Sequence, residues 1–181
     1  MTFTLSFREF LEFAESFYLE AENHIENGQT KKAIPFIVSC ILLSWISIES
    51  FINNMAEDFA ALPKDLFTLQ ERAFLEEKAV EFLLSGQKAG EFQISKRSEF
   101  RKIDEKILFL VAKFGKGRRF DKGSTFWQQF ENARKKRNFL THPRKSQEID
   151  LSLKDAKDSI EVAKSIIKMV AEKVWGKKIN L

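Results

Sequence analysis

AIPFIVSCILLSWISI, Ala33 to Ile48, is the one membrane-like run in the chain. It is shorter than the ~20 apolar residues that span a bilayer, and it holds Pro35 and three Ser. Read as a helix it is apolar on nearly every face, as expected of a helix surrounded by others. The helix starts near Thr30, which leaves Pro35 close enough to its first turn to be tolerated. It runs to about Phe59, and its second half turns amphipathic. A fully apolar helix inside a soluble chain needs a shell of helices, and the rest of the sequence offers one.

Upstream, Phe3, Phe7, Phe10, Leu11, Phe13, Ala14, Phe17, Tyr18 and Ala21 recur at helical spacing, with Glu9, Glu12, Glu15, Glu20 and Glu22 on the other side. Asn27-Gly28 stops that helix. Downstream, Leu62-Pro63 marks a break, and a third helix is predicted from about Lys64 to Leu84. Residues 85–97, SGQKAGEFQISKR, have no clear period and read as a loop or irregular insert. A fourth helix covers roughly Ser98 to Phe114, followed by the basic loop GKGRRFDKG, Gly115 to Gly123. Ser124 caps a fifth helix with Phe126, Trp127, Phe130 and Ala133 on one stripe. Pro143 disfavours helical geometry at His142 and ends it. Ser152 with Asp155 resembles a capping box for a last helix, which Gly176 closes after Trp175. No period-two alternation stands out. The expectation is an all-α bundle of five or six helices, a single domain over residues 1–181.

Composition narrows the function classes. The chain has 30 Lys+Arg against 26 Asp+Glu, a net charge of +4, so the placement of the cations matters more than their sum. Phe occurs 19 times and Tyr once, which points to dry aromatic packing. Trp45, Trp127 and Trp175 are read as core for the same reason. The single Cys40 lies in the apolar run, so it is neither a disulfide partner within the chain nor an accessible nucleophile. One Cys also excludes a Cys-rich zinc site. The N-terminus lacks the pattern of a signal peptide, and a cytoplasmic location without membrane attachment is expected.

The cations gather in ARKKRNFLTHPRKS, Ala133 to Ser146. Arg134, Lys135, Lys136, Arg137, Arg144 and Lys145 fall here, and no acid lies between Glu131 and Glu148. Inside the run, Arg137 and His142 are five residues apart. On a continuing helix they would point ~140° apart. With the helix stopped by Pro143, the chain is free to fold His142 back towards Arg137. Such a pair around one phosphate is a minimal kit for RNA cleavage. His can take the proton of a ribose 2′-hydroxyl or protonate the leaving oxygen. Arg can hold the phosphate and stabilise transition-state charge. Asn138 adds a neutral donor beside them. The surrounding cations supply backbone attraction. On spacing alone, the plain alternative is a helix end dressed with basic side chains.

RNFLTH, Arg137 to His142, resembles the signature of the HEPN superfamily, in which an Arg followed by a polar residue precedes a His by four to six intervening residues. A second segment resembles the Glu-x-x-x-Asn of an early HEPN helix: SWISIESFINN, Ser44 to Asn54, with Glu49 and Asn53 four apart on one face. The resemblance covers these two segments and the helical architecture; residues 85–97 and 115–123 match nothing in it. It implies a metal-independent endoribonuclease without cofactor, of the kind found in toxin–antitoxin or phage-defence systems. It implies a homodimer with two motifs facing one cleft, and an antitoxin protein as a possible partner. By it Arg137 and His142 are catalytic, Asn138 assists, and Glu49 and Asn53 support the site. Arg134, Lys135, Lys136, Arg144 and Lys145 are the expected RNA contacts. The rival expectation is a non-catalytic helical module that binds RNA, a nucleotide or a protein through the same surface.

GKGRRFDKG lacks the Gly-Lys-Ser/Thr ending and the preceding strand of a phosphate loop. His24, among Glu22, Asn23 and Glu26, is expected to be exposed and inert.

Overall fold

The computed structural model describes residues 5–117, 119–143 and 150–181. Six α-helices and one hairpin are present among the described residues: α1 Phe7–Glu26, α2 Thr30–Ala60, α3 Leu69–Leu75, β1 Lys78–Phe82, β2 Phe92–Ser98, α4 Ile103–Phe114, α5 Thr125–Thr141 and α6 Leu153–Trp175. The chain is a helical bundle, as the apolar run predicts.

α2 is the axis. It packs against α1, α3, α4, α5 and α6. Ile37, Ile41, Trp45, Ile48, Ile52 and Met55 recur every three or four residues and are all buried. By length and composition α2 also meets the requirement for a membrane-crossing helix, and 44% of that window is buried inside the fold. Pro35 lies within the helix, so the Lys31 carbonyl lacks its usual donor; Lys31 is exposed, where water can serve. Cys40 is fully buried and burial pushes its thiol up to about 12, which keeps it a protonated hydrophobe at neutral pH. α6 lies along α2 and buries Ile160, Ala163, Ile166, Ile167 and Val170. Its start is the Ser152–Asp155 capping box, and its end is Gly176 at φ 69°, a left-handed position suited to glycine.

The Phe-rich composition resolves into ring contacts. Phe59 stacks on Phe114 with centroids 3.6 Å apart, joining α2 to α4. Trp45 of α2 stacks on the fully buried Phe130 of α5 at 5.4 Å. Trp127 is buried as expected, but Trp175 is 44% exposed and meets the core ring of Phe51 edge-on. His24 is half-buried, with its ring stacked 5.2 Å from Phe36 and its Nδ1 3.0 Å from Gln29 Oε1.

One predicted region is corrected. The long third helix does not form. A short 3₁₀ turn, Lys64–Leu66, gives way to α3, which starts at the Thr68–Glu71 capping box and ends at Leu75. Glu77 then adopts φ 50°, which no helix continues through. The chain leaves as β1 and returns as β2, antiparallel, with Val80 opposite Ile94 and Phe82 opposite Phe92. The stretch expected to be irregular is thus half strand, and α4 starts at Ile103 instead of Ser98. The alternation Phe92-Gln93-Ile94-Ser95 was the available period-two signal.

Candidate functional site

α5 carries two residues of one face seven apart, Phe130 and Arg137. Phe130 is anchored in the core on Trp45, so the next turns of α5 lie over the following turns of α2. Arg137 therefore meets Glu49: Nη2 donates to Oε1 at 3.1 Å. The same carboxylate oxygen accepts from Trp45 Nε1 at 2.7 Å. A line runs from the buried Phe130–Trp45 stack through Glu49 to a half-exposed guanidinium. Asn138 Oδ1 accepts from Arg137 Nη1 at 3.1 Å. Arg137, Asn138 and Glu49 are thus together in space, as the two motif segments anticipate. Two of the guanidinium donors are engaged, and an arginine has five, so donors remain for an incoming anion.

His142 is placed differently from the folded-back geometry expected of it. α5 ends at Thr141, and His142 leaves helical geometry at φ −134° and ψ 61°, as a residue before proline should. Its backbone N–H still donates to the Asn138 carbonyl at 3.0 Å, while its side chain is exposed and does not pair with Arg137. His142 is thus the C-cap residue of α5, four residues past Asn138.

The basic run is less free than its sequence suggests. Arg134 Nη2 donates to Glu131 at 2.6 Å, and its Nη1 lies 3.0 Å from Asp104 of α4. The Asp104 contact is a charge contact, since that buried oxygen has no aligned hydrogen bond. Lys136 pairs with Asp155 at the start of α6. With Arg137 on Glu49, three of the four cations from Arg134 to Arg137 are matched by acids, and Lys135 alone of these four is exposed and has no acid partner among the described residues. Arg144 and Lys145 lie outside the described residues. Burial pushes the Asp155 carboxyl up, but Lys136 and the Ser152 hydroxyl and amide outweigh it and hold it below its ordinary value.

Asn53 does not touch Arg137. One turn beyond Glu49, its Oδ1 accepts from Lys106 Nζ of α4 at 2.8 Å. Lys106 is almost fully buried and also pairs with Glu77 at 2.9 Å. Burial pushes Glu77 up too, but Lys106 and the Arg101 amide prevail and hold it below its ordinary value. A cleft of ≈ 440 Å³ opens here, lined by Asn53, Glu57, Glu76, Glu77, Lys78 and Lys106. A second, of ≈ 320 Å³, lies between α5 and α6 around Lys136 and Asp155. Neither cleft is lined by Arg137 or His142. Among the described residues no group of three His, Cys, Asp or Glu side chains is placed to hold a metal ion.

Sequence reasoning missed Lys106. The signal was present: Ile103, Lys106, Ile107, Leu110, Val111 and Phe114 form one stripe, and a lysine on an apolar stripe must find a partner. Compared with known protein families, curated protein sequences and solved structures, the chain gives no match.

Proposed function

We propose that the protein is a metal-independent endoribonuclease of HEPN type. Arg137 holds the scissile phosphate, His142 moves the proton at the 2′-hydroxyl or the leaving oxygen, and Asn138 orients the guanidinium. The product ends are a 2′,3′-cyclic phosphate and a 5′-hydroxyl. The observation that carries the reading is the Arg137–Glu49 bond, which joins the two sequence segments that resemble the family. Glu49 supplies the guanidinium with a counter-charge, and an RNA phosphate would compete with it for the Arg137 donors. The exposed His142 at the end of α5 suits a site completed by a second copy of the chain, and a toxin or defence role with a protein antitoxin fits that chemistry. The test uses a panel of single-stranded RNAs with excess chelator. The intact protein cleaves, and Arg137→Ala and His142→Ala lose at least a hundredfold in rate while remaining folded. Equal inertness of all three proteins, or cleavage that requires a metal, ends this reading.

A second reading has an observation of its own. The acids that match Arg134, Lys136 and Arg137 leave a surface suited to holding a partner as much as to cutting a strand. In that reading the domain binds RNA, a nucleotide or a protein without turnover. Binding then survives His142→Ala, and no RNA product accumulates at any enzyme concentration.

A further inference from the structure

The hairpin presents a surface that the proposed chemistry has not used. Its base is fixed: α3 packs against β1 and β2, and Ala79 and Ser95 are buried. The alternate face is open. Phe82 and Phe92 sit directly opposite one another, with ring centroids 5.1 Å apart, and are 48% and 62% exposed. Val80 and Ile94 continue this face towards the base, and Lys96 lies on it by strand alternation. The cross-strand ring contact helps hold the ribbon together, yet about half of each ring still faces water, an exposed apolar patch that a partner can cover.

Charge indicates what covers them. From Lys78 to Arg97 the hairpin has four cations and two carboxylates. Glu81 is on the other face with Gln93, which donates to it at 2.8 Å, and Glu91 precedes Phe92 near the turn. Lys88 and Lys96 are exposed, and their side chains pair with no acid among the described residues; Arg97, also exposed, alternates to the Ser95 face. This is the reverse of α5, where three of four cations are already matched. Free cations beside exposed rings are the composition of a surface that stacks bases and follows phosphates. An apolar protein partner uses the rings but not the cations.

The hairpin is also coupled to the candidate site. Lys106 binds Asn53, one turn along α2 from Glu49, and binds Glu77 at the root of β1. The ribbon is therefore tied to the same stretch of α2 that holds Arg137.

We infer that the Phe82–Phe92 face of the hairpin is a stacking platform for an unpaired RNA strand, with Lys96 on that face and Lys88 of the turn contacting its phosphates. Two bases stack on the two rings, and the strand continues towards Arg137. The assignment of the strand as RNA rests on the proposed endoribonuclease reading; the platform itself does not depend on cleavage.

The experiment measures binding without turnover. Fluorescence anisotropy of a labelled twelve-nucleotide uridine RNA is followed over a salt series with the His142→Ala chain. Phe82→Ala/Phe92→Ala is expected to weaken binding at least tenfold, with an unchanged far-ultraviolet circular dichroism spectrum. Lys88→Gln/Lys96→Gln, which leaves the rings in place, lowers the slope of log affinity against log salt by about 1.4. A duplex of matched length binds more weakly than the single strand. Unchanged affinity in the ring variant, equal affinity for duplex, or no RNA binding by the parent overturns the platform. So does concentration-dependent self-association that the ring variant abolishes, which makes the face a contact between copies. Ring-dependent RNA binding by a wild-type chain that never cleaves leaves the platform standing and ends the nuclease reading instead.

Discussion

Lys106 enters the bundle from the apolar stripe of α4, and its surroundings decide what that costs. Its ammonium is nearly dry, yet Asn53 and Glu77 both meet it. Removing one member of a buried charged pair leaves the other without compensation, whereas replacing both by apolar or neutral groups is close to neutral. Lys106→Ala is expected to lose about 2–4 kcal/mol, the lower end reflecting the partial exposure of Glu77. Lys106→Met with Glu77→Gln recovers most of it. Urea denaturation reads both as midpoint shifts at constant slope. A loss below about 0.5 kcal/mol in the alanine variant shows that water already solvates this lysine. At the same scale, Glu49 serves a core tryptophan and a surface arginine through one oxygen. That double use was not legible in the sequence: the four-residue spacing puts Trp45 and Glu49 on one face, but nothing in it brings Arg137, 88 residues on, to the same oxygen.

The elements that were legible are those with both a period and a stop. α2 was read from a run too apolar for a surface, α5 from Ser124 and Pro143, and α6 from Ser152 and Gly176. The hairpin was not, and the reason is physical. Strands of five and seven residues give only two or three alternations each, and the apolar residues of 66–84 fall equally well at helical spacing. What breaks the helix is the left-handed Glu77, a position where glycine or asparagine is the usual clue. The position of His142 was half legible. Pro143 stops the helix as expected, but a stop does not determine where the imidazole then points. The cap of α5 can be tested directly. Ser124 Oγ accepts from the Trp127 amide at 3.3 Å and donates to the Asp121 carbonyl at 2.6 Å. Ser124→Ala is expected to cost about 1 kcal/mol, and Ser124→Asn to cost less, by thermal unfolding. Equal melting of wild type and the alanine variant shows that α5 is held by Phe130 and Trp127 alone.

At the scale of the molecule, several carboxylates tie one element to another. Glu71 holds Lys113 of α4, Glu77 holds Lys106, and Asp155 holds Lys136 of α5. Lys113 lowers Glu71; burial opposes the shift at Glu77 and Asp155 but is outweighed by their partners. For each, the folded value lies below the unfolded one. Their contribution is therefore complete above the unfolded range, about pH 4, and is lost as pH falls through the folded values. Stability is expected to be flat from neutrality to about pH 5 and to decline below it. Glu77→Gln with Asp155→Asn lowers stability at pH 7 and flattens that acid limb. Urea midpoints measured from pH 7 to 3 decide it: an acid limb of unchanged steepness in the double variant assigns the decline to other groups.

The indole of Trp45 donates its one N–H to the carboxylate that holds Arg137. An anion that draws Arg137 away from Glu49 changes the charge felt by that indole, and with it the energy of its emission. The bundle therefore contains a native chromophore wired to its candidate site. With Trp127 and Trp175 replaced by phenylalanine, light emitted from the core reports whether the arginine at the surface is occupied.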